Sequence, residues 1–127
     1  MHKEVIKTEN APQPIGPYSQ AVKVGNMLYV SGQIPLNPAT STMVTGDIKA
    51  ETKQVMENIK AILTEAKTNF DSVIKATIFC TDLNDFAAIN EMYGSYFTVM
   101  PPARETVQVA RLPKDARVEI SVIVLIP

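Results

Sequence analysis

The chain has 127 residues, of which 46% are hydrophobic and 20% charged, with a formal net charge of −1. That is the length of a single domain (1–127) with enough apolar residues for one core. The charge balance argues against nucleic acid or an anionic membrane as partner, and no apolar run approaches the roughly 20 residues that span a bilayer.

The N-terminal stretch to Asn10 is polar and lacks the apolar segment of a signal peptide, so a cytoplasmic protein is expected. Ala11–Gly16 carries Pro12 and Pro14, with Pro17 following, and reads as an ordered, extended loop. Gln20–Val24 and Met27–Ile34 are β-prone and flank Gly25-Asn26, a two-residue hairpin signal. Leu36–Thr45 reads as a surface loop. Ile48–Lys67 is the clearest helix: Val55, Ile59, Ile62, Leu63 and Ala66 keep one face apolar, and Asp47 can cap its first turn.

Val73–Thr81 is a short, β-branched apolar run and reads as a strand. A second helix is expected over Asp85–Thr98, with Phe86, Ile89, Tyr93 and Phe97 on one face, Asn84 as cap and Pro101-Pro102 as a stop. Glu105–Ala110 and Arg117–Ile126 read as strands joined by a turn at Leu112–Ala116. The order predicts an α+β fold, two helices laid on one face of a mixed sheet.

The last strand is apolar at every even position from Val118 to Ile126, and Ile123 and Leu125 make the far half of its other face apolar too. Two helices cover only one sheet face. The other therefore needs a cover from outside the chain, most simply another copy of it.

Few residues are free for chemistry. The single histidine, His2, is in the tail, and the single cysteine, Cys80, lies in an apolar strand where free Cys is ordinarily a core residue. Histidine-based triads, disulfides and His/Cys metal sites are thereby argued against. In the strand opened by Arg104, Thr106 and Gln108 share its face while Val107 and Val109 share the other. The valines suit a face under helices, so Arg104 is expected to point away from the helices, with Glu119 on the same side. Arg104 and Glu119 have two readings at this point: a structural ion pair, or an anion clamp beside a water-orienting carboxylate. Tyr18, in a Gly-Pro-Tyr-Ser turn, and Ser31, before a glycine in a strand, are each either structural or functional.

Ile15-Gly16-Pro17-Tyr18-Ser19-Gln20, Val30-Ser31-Gly32-Gln33-Ile34-Pro35, Pro102-Ala103-Arg104, Val107 through Asp115 and Val118-Glu119-Ile120 resemble the Rid (YjgF) family of reactive intermediate deaminases, in order and over essentially the whole chain. The resemblance implies a chorismate-mutase-like fold and a homotrimer with a barrel-like core and clefts between subunits. It implies hydrolysis of 2-imino acids to 2-oxo acids and ammonia, without cofactor or metal. By the same resemblance Arg104 holds the substrate carboxylate and Glu119 attends the hydrolytic water. Tyr18, Ser31, Gly32 and Asn90 are cleft residues, and backbone N–H groups near Gly32 and Thr106 face the ligand. The family often has Ser-Cys where this chain has Glu105-Thr106, which places an extra carboxylate beside the clamp in sequence, although period 2 sends it to the opposite face. A non-catalytic, carboxylate-binding regulatory protein is the alternative; ribonuclease action, also linked to the family, is disfavoured by the net charge and the lack of a site histidine.

Overall fold

The structure is a computed structural model and describes residues 2–127. Its main sheet uses β1 (Glu4–Ile6), β2 (Ala21–Val24), β3 (Met27–Gln33), β6 (Val73–Cys80), β7 (Ala103–Gln108) and β8 (Val118–Leu125), in the spatial order β1-β2-β3-β8-β6-β7. All neighbours are antiparallel except β6 and β7, which run parallel. The two helices, α1 (Ile48–Glu65) and α2 (Phe86–Gly94), supply the core against this α+β sheet. A small hairpin, β4 (Leu36–Asn37) with β5 (Thr42–Met43), forms where the sequence reads as plain loop.

The expected β2–β3 hairpin is present. Val24 pairs with Met27, and Gly25 takes φ 59°, the left-handed value that a type II′ turn needs at its first central position. β1 was not expected from its polar composition. It forms because the edge of β2 is open to it, and because Gln20 holds the following segment. The Gln20 side chain accepts from Thr8 N at 2.7 Å and donates to the carbonyls of Thr8 and Pro12 at 3.0 and 2.9 Å.

Helix α1 starts as expected, with Asp47 Oδ1 accepting from Lys49 N at 3.2 Å. It ends two residues early, because Lys67 turns left-handed (φ 61°) and the Thr68 and Lys67 N–H groups return to the Leu63 and Thr64 carbonyls. The second helix is shorter than its periodicity suggests. Asp82 Oδ1, rather than Asn84, caps the preceding 3-10 turn by accepting from Asn84 N at 2.9 Å, and α2 gives way after Gly94 to tight turns through Phe97.

The even residues of β8 behave as their pattern demands. Val118, Ile120, Val122 and Val124 are buried with Leu28, Val30, Ala76 and Ile78 beneath Val55, Met56, Ile59 and Ile62 of α1 and Ile89 of α2. The opposite sheet face is open. It carries Tyr29, Leu125 and Val107, which are 45%, 41% and 41% exposed, beside the partly buried Ile123. A charged anchor joins the layers: Arg117, just before β8, donates through Nε and Nη2 to the carboxylate of Glu51, which is 3% exposed in α1.

Candidate functional site

The facing expected for β7 is reversed. Parallel pairing sets Arg104 beside Ala76, Thr106 beside Ile78 and Gln108 beside Cys80, and those β6 residues are wholly buried under the helices. Arg104 therefore points toward α2, while Glu105 and Val107 face the open side with Thr77 and Phe79. The valines mislead because β7 is an edge strand and α2 is a short helix. An apolar residue on such a strand need not lie under a helix, and Val107 extends the apolar open face instead.

Three α2 residues surround the Arg104 guanidinium. Nη1 donates to Asn90 Oδ1 at 2.7 Å. The guanidinium carbon lies 5.6 Å from the Phe86 ring centre and 5.2 Å from that of Tyr93. Positions 86, 90 and 93 recur at helical spacing, so α2 presents all three on one face. Tyr93 is 4% exposed, and its hydroxyl and that of Thr106 are buried without a partner among the described residues. Burial pushes the Tyr93 phenol up to about 12, with the Arg104 charge pulling the other way, so it stays neutral in the physiological range.

Glu119 lies elsewhere. It pairs with Phe79 on the open face, so Arg104 and Glu119 of one chain are on opposite sides of the sheet, separated in strand order by β6. One of the expected site residues, Gly32, does meet it. Between Val30 and Gln33 the β3–β8 register slips, leaving Ser31 and Gly32 in a bulge. A Cβ on Gly32 would stand 2.8 Å from the Glu119 carboxyl carbon, so the side chain rests directly on the glycine backbone. Partial burial there raises the Glu119 carboxyl above its ordinary range.

The Ser31 hydroxyl donates to the Ser19 carbonyl at 2.6 Å, and Ser31 N donates to the Gln20 carbonyl at 2.9 Å. These bonds tie the bulge to the segment carrying Tyr18, which is 51% exposed and lines a small pocket with Gly32, Ile15 and Lys114. Tyr18, Ser31, Gly32 and Glu119 thus form one cluster; Arg104, Asn90 and Thr106 form another. Glu105 belongs to neither. It pairs with Lys75 at 3.2 Å and accepts from Thr77 Oγ1 at 2.9 Å, and these partners hold its carboxyl below the ordinary range. A surface groove of about 540 Å³ along α1, past Gln54, Glu57 and Lys60, includes no residue of either cluster.

Residues 8–126 match the model of the family described as Endoribonuclease L-PSP. The chain belongs to this family, the YjgF/Rid family. A RutC family protein of Pyrococcus abyssi is 58% identical over 97% of each chain. A 2-iminobutanoate/2-iminopropanoate deaminase of Dermatophagoides farinae is 52% identical, covering 98% of this chain and 97% of that one. Among solved structures, a Rid family protein of Yersinia pestis aligns with TM-score 0.96 at 49% identity over 98% and 100% of the two chains. Escherichia coli TdcF with bound serine aligns with TM-score 0.94 at 44% identity over 98% and 99%. The Rid fold expected from the sequence is therefore established, along with the α+β architecture.

The sequence reading did not assign Phe86 and Tyr93 to the arginine. Their signal was present as helical spacing around Asn90, but the same spacing also describes an ordinary apolar helix face.

Proposed function

We propose that this Rid protein hydrolyses reactive 2-imino acids to 2-oxo acids and ammonia in a cleft formed between copies of the chain. The observation that carries the reading is Arg104, a partly buried guanidinium held at Nη1 by Asn90 and paired with no carboxylate among the described residues. A bidentate pair with a substrate carboxylate is the contact that suits such a group. The relative named as an imine deaminase supports the same chemistry.

Because Arg104 and Glu119 lie on opposite sheet faces, a small acid cannot bridge them within one chain. Seating the β7 edge of one copy against the open face of the next brings the arginine cluster of the first toward the Tyr18–Gly32–Glu119 cluster of the second. A homotrimer satisfies this arrangement and covers Tyr29, Ile123 and Leu125.

In that cleft Arg104 fixes the carboxylate, and backbone N–H groups near Gly32 and Thr106 complete the recognition. Glu119 accepts a proton from a water as its oxygen bonds to the iminium carbon. Glu119 then passes that proton to the carbinolamine nitrogen. The C–N bond breaks with its electron pair leaving on ammonia, while the hydroxyl oxygen forms the C=O and gives its proton to the Glu119 carboxylate, so that the 2-oxo acid remains. A raised carboxyl is a better base for this step than an ordinary one. No covalent enzyme intermediate is needed, since the imine carbon is already electrophilic.

The experiment is to generate 2-iminopropanoate or 2-iminobutanoate in situ and follow its decay against the spontaneous rate. Acceleration by the wild-type protein supports the reading. If there is none, a ligand-sensing role takes its place, for which the serine bound to the structurally similar TdcF is the supporting observation.

A further inference from the structure

We propose that Phe86 and Tyr93 are positioning residues for Arg104: their two rings hold the guanidinium in a fixed plane, so that it meets a carboxylate already oriented. The inference deepens the function proposed above and rests on Arg104 as the carboxylate clamp.

A long arginine side chain on an edge strand ordinarily samples many rotamers, and freezing them on binding weakens affinity. Here three contacts from α2 restrict it before any ligand arrives. Asn90 Oδ1 fixes one nitrogen at 2.7 Å, and the Phe86 and Tyr93 ring centres lie 5.6 and 5.2 Å from the guanidinium carbon. Both distances are within cation–π range. One hydrogen bond alone leaves rotation about its own axis, whereas two rings limit that rotation.

The rings are themselves unequal in firmness. Tyr93 is 4% exposed and packs 4.8 Å from Phe97, so it cannot move freely. Phe86 is 39% exposed and forms the solvent side of the cradle. Tyr93 acts through its ring rather than its hydroxyl: that oxygen is shut off from solvent, and a ligand reaching the exposed edge of the guanidinium does not touch it.

Two readouts test this. In NMR spectra of the assembled wild-type protein, the Arg104 side-chain protons should be shifted by ring currents. The shift should diminish in Tyr93→Leu and in Phe86→Leu, and persist in Tyr93→Phe. Binding of 2-oxobutanoate should weaken by about fivefold or more in each leucine variant, the loss expected for a partly buried cation–π contact. In imine hydrolysis the leucine variants should show the change mainly in KM, and Tyr93→Phe should rescue it. Phe86→Leu carries the test if Tyr93→Leu fails to fold, because Phe86 lies outside the core. Leucine variants with unchanged Arg104 signals or unchanged binding overturn the proposal, as does a Tyr93→Phe variant as weak as Tyr93→Leu. A wild-type protein with shifted Arg104 signals that does not bind 2-oxobutanoate overturns the clamp reading, and a positioning role falls with it. Unshifted wild-type signals overturn the cradle and leave the clamp reading standing.

Discussion

The Glu119 side chain rests on Gly32, with no room between them for a Cβ: its carboxyl carbon would be 2.8 Å away and its Cγ 3.0 Å. The glycine is needed for close approach rather than for an unusual φ, since Gly32 is not among the residues with positive φ. Gly32→Ala should displace the carboxylate while leaving the fold intact, because the contact sits at the exposed bulge. Misplacing a water-activating group costs orientation, so imine hydrolysis should fall by at least about tenfold. Steady-state kinetics beside a thermal melt checks both halves; full activity in a well-folded variant would remove Glu119 from the reaction.

Arg104→Ala removes the charge-assisted contact with the carboxylate, worth about 1.5–3 kcal/mol, and should slow hydrolysis by about tenfold to a hundredfold. Arg104→Lys should restore only part, because an ammonium lacks the planar fork and fits the Phe86–Tyr93 cradle less well. Decay of 2-iminobutanoate generated in situ measures both.

The two carboxylates of the open face should behave differently. Glu119 is held above the ordinary carboxylate range by burial, so the folded chain binds its proton more tightly than the unfolded one. Its ionisation therefore lowers stability as pH rises from the ordinary range through the raised value. Glu119→Gln should gain thermal stability relative to wild type at neutral pH, lose that gain in acid, and lose turnover while still binding a 2-oxo acid. Glu105 has the opposite sign: Thr77 and Lys75 lower its pKa, so its contribution is present above the ordinary range and is lost as pH falls through the lowered value. Glu105 is already neutralised by Lys75, so Glu105→Ser should leave activity equal or modestly higher. Melting curves across pH and parallel kinetics separate the pair.

A stable homotrimer is expected in solution, with the open face of each copy covered. Ile123→Lys places a charge in the middle of that face, between Tyr29 and Lys75 of the neighbouring strands. It should dissociate the assembly and abolish hydrolysis together, since the cleft needs two copies. Light scattering on both proteins decides it; a monomeric wild type would remove the basis for a shared site.

Arg117→Met should destabilise the fold by about 2–3 kcal/mol, because the Glu51 carboxylate loses its partner in a buried position while Arg117 itself is partly exposed. Glu51→Gln combined with Arg117→Met should recover part of that loss, since no ion is left stranded. Denaturant unfolding of the single and double variants reads out the coupling.

The one-dimensional pattern is enough to place most of the elements. Alternation in β8, the helical stripe of α1 and the Gly25 turn are local, and each is strong enough that tertiary contacts only reinforce it. The family motifs likewise lie in contiguous stretches such as Ile15–Gln20 and Val30–Pro35. Facing was legible only where a strand is central. For β8, buried on one side along its length, the even set pointed to the core as expected. For β7 the side chains of Arg104 and Val107 gave the wrong answer, because an edge strand's facing is set by its register with β6. That register is a long-range property: Ala76 stands beside Arg104 although 28 residues separate them in the chain. That pairing brings the guanidinium against Phe86, Asn90 and Tyr93, and the pairing of β6 with β8 sets Glu119 beside Phe79 on the other side of the sheet. Local periodicity can say that residues share a face. Which face it is, and what waits there, depends on the strand a chain segment finds across the sheet.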